Sequence, residues 1–250
     1  MHHTLAYANP ALAALAVDTN GTPVQDDIIA ISNNRFLPQE DYRIVAAYAQ
    51  MTTANRTRIS SPTNRQITLP FIRPIAASTA PVTDPNVADY RGQPFKIEGL
   101  EELGVDFSTD LGAATEVAIA ALWLDKGFTP APPGNIFTMR GTSTTAAAIL
   151  NWTSLAVTWA DSLPEGLYAV VGLEVVGVTE VLSRVILENQ VMRPGSVGSV
   201  LVGNRTHEMF RMGRLGNWGQ FRSTRMPIVQ VLNLAAIAVH TVYLDLIRIR

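Results

Sequence analysis

The feature that most constrains this chain lies in its second half. Residues 135–250 run as short apolar segments separated by turns, with few of the residue types that perform catalysis. Residues 115–124 place Val117, Ile119, Ala121 and Trp123 on one face of an extended strand. Residues 151–159 place Leu155, Val157 and Trp159 on one side, and the turn at 161–166 closes that segment. Further β-branched runs cover residues 166–178, 180–187, 227–234 and 238–249, and shorter ones cover 136–140 and 146–150. No crossover helix separates these runs, which disfavours a parallel α/β sheet and favours two packed antiparallel sheets.

The expected fold class is therefore mostly β: an eight-stranded antiparallel sandwich of the jelly-roll type over residues 105–250. An immunoglobulin-like sandwich fits less well, because the strand count is higher and a chain without cysteine has no Cys-Trp-Cys framework. Residues 1–104 read as an N-terminal arm. A short helix is expected over 38–49, with Pro38 at its start, Gln39, Glu40 and Asp41 in the first turn, and Ile44, Val45, Tyr48 and Ala49 as its apolar stripe. A second short helix is expected over 11–17. A strand is expected over 65–69, and prolines at 62, 70, 74, 81, 85 and 94 keep the remainder extended, draped over its own β domain or over a neighbour.

Composition narrows the function classes. Of the 250 residues 47% are hydrophobic and only 16% charged, fewer charges than ordinary soluble domains spread over their surface, so part of that surface is expected to lie against other chains. The absence of cysteine removes disulfides, thiolate nucleophiles and cysteine-type zinc sites together. No run of about twenty apolar residues occurs without charges or prolines, so no transmembrane segment is expected.

Catalytic constellations are thin. His207 and His240 are the internal histidines; His240 reads as a structural histidine, and His207 beside Glu208 is an adjacent pair in a loop. Asp26-Asp27 and Glu101-Glu102 read as solvated or capping residues, and Asp18-Thr-Asn-Gly21 as a turn. Neither a nucleophile elbow nor a zinc-protease helix is present. No enzyme activity, cofactor or metal is expected.

Charge is unevenly placed although the net charge is only −2. Seven acids and no Lys or Arg lie between Glu98 and Asp125, whereas six arginines face one acid, Glu208, between Arg193 and Arg225. That second stretch sits in the longest gap between strands, residues 191–226, with glycines at 195, 198, 203, 213, 216 and 219. Its candidate contact residues are Arg193, Arg205, Arg211, Arg214, Trp218, Phe221, Arg222 and Arg225. Arginine with aromatic neighbours suits either a subunit interface, the favoured reading, or single-stranded nucleic acid, where phosphates are neutralised and bases stacked. A dedicated nucleic-acid binder would be basic overall, and this chain is not.

The Pro-rich arm, followed by about eight short strands that end in residues 239–249, resembles the jelly-roll capsid proteins of icosahedral viruses and phages. The runs at 163–172, 192–195 and 214–219 are similar to phage-type coat sequences. The resemblance implies a major capsid protein that self-assembles into a closed particle around a genome, placed in the virion and, during assembly, in host cytoplasm. Its implied partners are many copies of itself, encapsidated nucleic acid and minor capsid proteins. Residues 1–34 hold no Arg or Lys, unlike the basic arms of many single-stranded RNA virus coats, so genome contact would fall elsewhere. The alternative is a carbohydrate-binding jelly roll, such as a phage tail or receptor-binding protein. That module would expose aromatics on one face, yet Trp152 and Trp159 lie on opposite faces by parity. A small β hydrolase is the third reading.

Overall fold

The computed structural model describes residues 2–13, 15–51, 55–61, 72–79, 86–109, 116–177, 181–188, 190–198, 208–233 and 235–250. Among these the chain is mostly β, with one short 3-10 turn at Glu208–Phe210. It divides into two compact units: Leu5–Ala80 with Asn86–Lys126, and Gly127–Arg250 with Met1–Thr4. The boundary expected at 104/105 thus falls at the start of a strand inside the first unit.

The first unit is built on β1 (His2–Leu12), β2 (Thr19–Asn20), β3 (Thr22–Pro23), the small hairpin β4 (Ala30–Ser32) and β5 (Arg35–Leu37), and β6 (Tyr42–Met51). It continues through β7 (Asn55–Ser60), β8 (Ile72–Thr79), β9 (Ala88–Asp89), β10 (Phe95–Ile97), β11 (Gly104–Thr109) and β12 (Glu116–Asp125). Its sheet runs in the order β2-β11-β7-β8-β6-β12-β1-β3. One edge of β6 is held by β12; the other is held in turn by β10, β9 and β8, which pair with Ile44, Ala46 and Ala49.

Gly21 alone separates β2 from β3, which lie at opposite ends of that order, so residues 19–23 tie the two edges together. A Cβ on Gly21 would stand 2.6 Å from the Phe107 ring, so only glycine passes this corner. The Asn-Gly signal therefore marks a step from one sheet edge to the other.

Two expected helices are corrected. Residues 42–51 form β6, because every position from Ile44 to Met51 is buried. The amphipathic helix expected here would have kept one face in water. A strand covered on both faces needs no alternation and reads as an unbroken apolar run, in which Ile44, Val45, Tyr48 and Ala49 only mimic a helical stripe. Residues 11–17 leave β1 at Leu12 and turn through left-handed backbone at Leu15 (φ 55°) and Asp18 (φ 50°). The arm is corrected with them: β1, β6, β7 and β11 are paired strands of a compact unit. The strand expected at 65–69 lies outside the described residues.

The second unit contains β13 (Ile136–Ser143), β14 (Thr153–Ser154), β15 (Thr158–Trp159), β16 (Leu167–Val176), β17 (Val181–Ile186), β18 (Gly195–Gly198), β19 (Gly219–Arg222), β20 (Ile228–Asn233) and β21 (His240–Arg248). A five-stranded antiparallel sheet has the order β15-β13-β21-β16-β19, and a four-stranded one the order β14-β20-β17-β18. Val170, Leu173, Val175, Leu244 and Leu246 of the first sheet and Val185, Val197, Val229 and Val231 of the second are fully buried. Their removal from water is the main favourable term, about 1.5–3 kcal/mol for each side chain. The sheets approach so closely at β18 that a Cβ on Gly198 would stand 1.8 Å from the Val175 carbonyl oxygen. The long gap at 191–226 is thus partly sheet, holding β18 and β19.

Candidate functional site

The arginine-rich stretch is anchored at Arg211, just after the 3-10 turn. Its guanidinium forks onto Asp245 of β21, with Nε donating to Oδ2 at 2.6 Å and Nη2 to Oδ1 at 2.9 Å, while Nη1 pairs with Glu174 of β16. Asp245 is fully buried and also accepts from the Thr138 hydroxyl at 2.7 Å and the Met212 amide at 3.0 Å. Burial by itself would raise the Asp245 pKa. The Arg211 fork, the Thr138 hydroxyl and the Met212 amide outweigh it and hold the carboxyl below its ordinary 3.8. Burial likewise works to lower Arg211's pKa, but the two carboxylates prevail and raise it.

Sequence prepares the seat for this fork. The register of β16 shifts between Val170 and Gly172, and a Cβ on Gly172 would stand 2.5 Å from Asp245 Oδ2 and 2.9 Å from the Phe210 carbonyl. Glycine at this bulge lets residues 210–213 lie directly on the sheet. Gly213 then donates to the Val171 carbonyl at 2.8 Å, and Asn217 to that of Thr129. Ala169, Val171 and Ile247 form a buried apolar cluster against which Ala131 and Ile249 pack.

Among the described residues the other sequence candidates have separate partners. Trp218 is fully buried, with the His2 ring edge-on at 4.7 Å, and Phe221 is 3% exposed and stacks on Tyr168 at 5.9 Å. Neither ring offers a face to a nucleobase. Arg193 is buried and donates to the Gln190 carbonyl at 2.7 Å. Arg214 pairs with Glu208 at 2.8 Å and Arg225 with Glu188, both at the surface. Exposed Arg222 borders an open depression of about 240 Å³ together with Glu165, Leu167, Thr224 and Arg250. Arg205 and His207 lie outside the described residues.

Sequence reasoning missed Asp245, Glu174 and Thr138. A usable signal was present: Asp245 lies between two leucines in a strand whose neighbours are apolar, and a lone carboxylate in such a strand requires a cationic partner.

The acid-base and metal candidates resolve plainly. His240 is fully buried beside Asn233, whose Nδ2 lies 3.1 Å from Nε2, and burial lowers its pKa. Asp26 caps the amides of Ile28 and Ile29, and Glu101 accepts from the Glu98 amide. Among the described residues no group of three or more His, Asp or Glu is placed to hold a metal ion, and no helix is long and apolar enough to cross a membrane.

Solved structures similar to this chain include viral capsid proteins. The major capsid protein P2 from bacteriophage PM2 matches at 10% identity, over 99% of this chain and 97% of that one, with a TM-score of 0.24. The PBSX exported protein XepA matches at 9% identity over 96% and 86%, with a TM-score of 0.25. A third match is described as the triple jelly roll fold and turret assembly in an archaeal virus, at 11% identity over 99% and 78%, with a TM-score of 0.20. At TM-scores of this size the likeness transfers neither fold nor function. No protein-family model and no curated protein sequence matches the chain.

Proposed function

We propose that the chain is a capsid or shell protein built from two jelly rolls that self-assembles without catalysis. One observation carries this reading: the same strand order occurs twice. In the second unit, leaving out the short β15, eight strands taken in chain order form one sheet as first-eighth-third-sixth (β13-β21-β16-β19) and the other as second-seventh-fourth-fifth (β14-β20-β17-β18). In the first unit, leaving out β3, β4, β5 and β9, the rows β1-β12-β6-β10 and β2-β11-β7-β8 repeat both orders within one sheet, where the parallel pairing of β6 with β8 joins them. This interleaving of two Greek keys is the jelly-roll arrangement, a fold used by viral capsids and by lectins.

Fold alone does not choose between those uses. Surface character favours assembly. Leu15, Val17, Leu100, Phe128 and Met212 are each more than half exposed, in a chain with few charges to spread around them. The carbohydrate-binding alternative needs open aromatic platforms, but Arg184 stacks over Trp152 at 4.3 Å and donates to Gln230, and Trp159 is half-buried against Gly141. Further copies of the chain are the primary partner, and an enclosed nucleic acid and minor capsid proteins belong to the same reading, as does residence in the virion.

Size-exclusion chromatography with light scattering, followed by negative-stain microscopy of the excluded fraction, tests it. Closed particles of uniform diameter are expected. A monomer at all concentrations and salt conditions would overturn the shell reading and bring glycan-array binding forward as the next measurement.

A further inference from the structure

The first residues of β1 are held differently from the rest of that strand. Residues 2–4 belong to the unit of Gly127–Arg250, whereas from Leu5 onward the strand belongs to the other unit. Thr4 donates its amide to the Arg193 carbonyl at 2.9 Å, and the Arg193 amide donates to His3 Nδ1 at 3.0 Å. His2 Nε2 lies 3.2 Å from the Gly195 backbone, and its ring stands edge-on to Trp218 at 85°. His2 is 2% exposed, and its Nδ1 is buried without a hydrogen-bond partner.

Among the described residues this site takes a neutral imidazole and offers no anion to a cation. Trp218 and Gly195 bring no charge. The ionisable groups acting on His2 are the chain's amino group and His3, and both oppose a further positive charge. The remaining charged group on the docking segment is Arg193, also a cation. A proton on His2 would bury a charge that no carboxylate among the described residues is placed to receive.

We propose that residues 2–4 are an acid-sensitive latch, docked on residues 193–195 and Trp218 while His2 is neutral and released from them when it is protonated. Desolvation by burial lowers the His2 pKa to about 3, against a smaller opposing contribution from the Gly195 backbone. Once released, the ring regains its ordinary value of 6.5. Because the docked value is the lower one, docking is undisturbed above pH 6.5 and weakens as pH falls from there toward 3. Linkage between these two values lowers the docked-to-released ratio by about 30-fold between pH 7.5 and pH 5. The inference does not depend on shell assembly.

Hydrogen exchange of the Thr4 and Gly195 amides, corrected for intrinsic pH dependence, reads the latch on the full chain. In the unaltered protein, protection at both amides should drop by about that factor at pH 5, while that of Val231 in the buried sheet stays unchanged. His2→Phe keeps a ring against Trp218 and cannot be protonated, so its protection should be independent of pH; His2→Gln serves the same purpose if the phenylalanine variant fails to fold. Equal protection at both pH values in the unaltered protein overturns the latch. So does an acid response of unchanged size in the folded non-titrating variant.

Discussion

Replacing Arg211 with methionine removes the fork that pins residues 210–213 to the second unit. The carboxylate left behind is fully buried, and loses donors at 2.6 and 2.9 Å while keeping the Thr138 hydroxyl and Met212 amide. Breaking a buried ion pair costs about 3–5 kcal/mol. Arg211 retains 20% side-chain exposure and Asp245 keeps two partners, which places this case at the low end, about 3 kcal/mol. For a chain of this size that is a fall in Tm of about 6–12 °C. The pH dependence carries a sign. In the unaltered protein the Asp245 pKa is depressed, so its contribution is present above the unfolded value of 3.8 and is lost as pH falls through the folded value. In the Arg211→Met variant burial is no longer outweighed, the folded pKa rises, and the carboxylate destabilises the fold at neutral pH but not in acid. Urea unfolding at pH 7 and pH 4.5 should therefore show the deficit shrinking at the lower pH, and Arg211→Met/Asp245→Asn should recover part of it at pH 7. A deficit below about 1 kcal/mol at pH 7, or one that is the same at both pH values, would refute the account of Asp245 as a buried charge dependent on Arg211.

Three further outcomes are expected. Gly198→Ala places a methyl group against the Val175 carbonyl, at 1.8 Å before relaxation, and should cost about 1–3 kcal/mol or more in chemical unfolding; an unchanged midpoint would mean that the two sheets do not meet there. Leu100→Gly relieves a left-handed backbone (φ 67°) at a residue 62% exposed and should stabilise the chain by about 0.5–1 kcal/mol, read as a higher Tm, with a lower one counting against it. Deleting residues 1–12 removes β1 from between β12 and β3, so the first unit should lose protection in hydrogen exchange; retained protection at Tyr48 and Trp123 would restore the view of this segment as a dispensable arm.

The strands legible in the sequence are those whose faces differ or whose β-branched content is high. β12, β16, β17, β20 and β21 stand where alternation or Val/Ile runs placed them. β18 (Gly-Ser-Val-Gly) and β19 (Gly-Gln-Phe-Arg) were hidden because glycine carries no strand propensity, although it is what allows close approach: Gly198 against Val175, Gly219 against Gln190. The same physics concealed the first unit. Its central β6 is an apolar run buried on both faces, so burial left no strand alternation to read, and its partner β12 falls in the expected following domain because nothing local says that residues 116–125 pair with residues 43–51 across more than sixty positions. Long-range pairing of this kind is specified by the complementarity of two apolar surfaces rather than by either segment alone. Once β12 is placed beside β6, the described part of the expected arm becomes a strand-built unit of its own. The arginines follow the same logic. Their spacing suggested one contact surface, but Asp245 and Glu174 together claim Arg211, Glu208 claims Arg214 and Glu188 claims Arg225, and three of those acids lie outside the arginine-rich stretch. Charge clustered along a sequence becomes a shared surface only when the acids elsewhere in the chain are too distant to neutralise it, and here the fold brings them close.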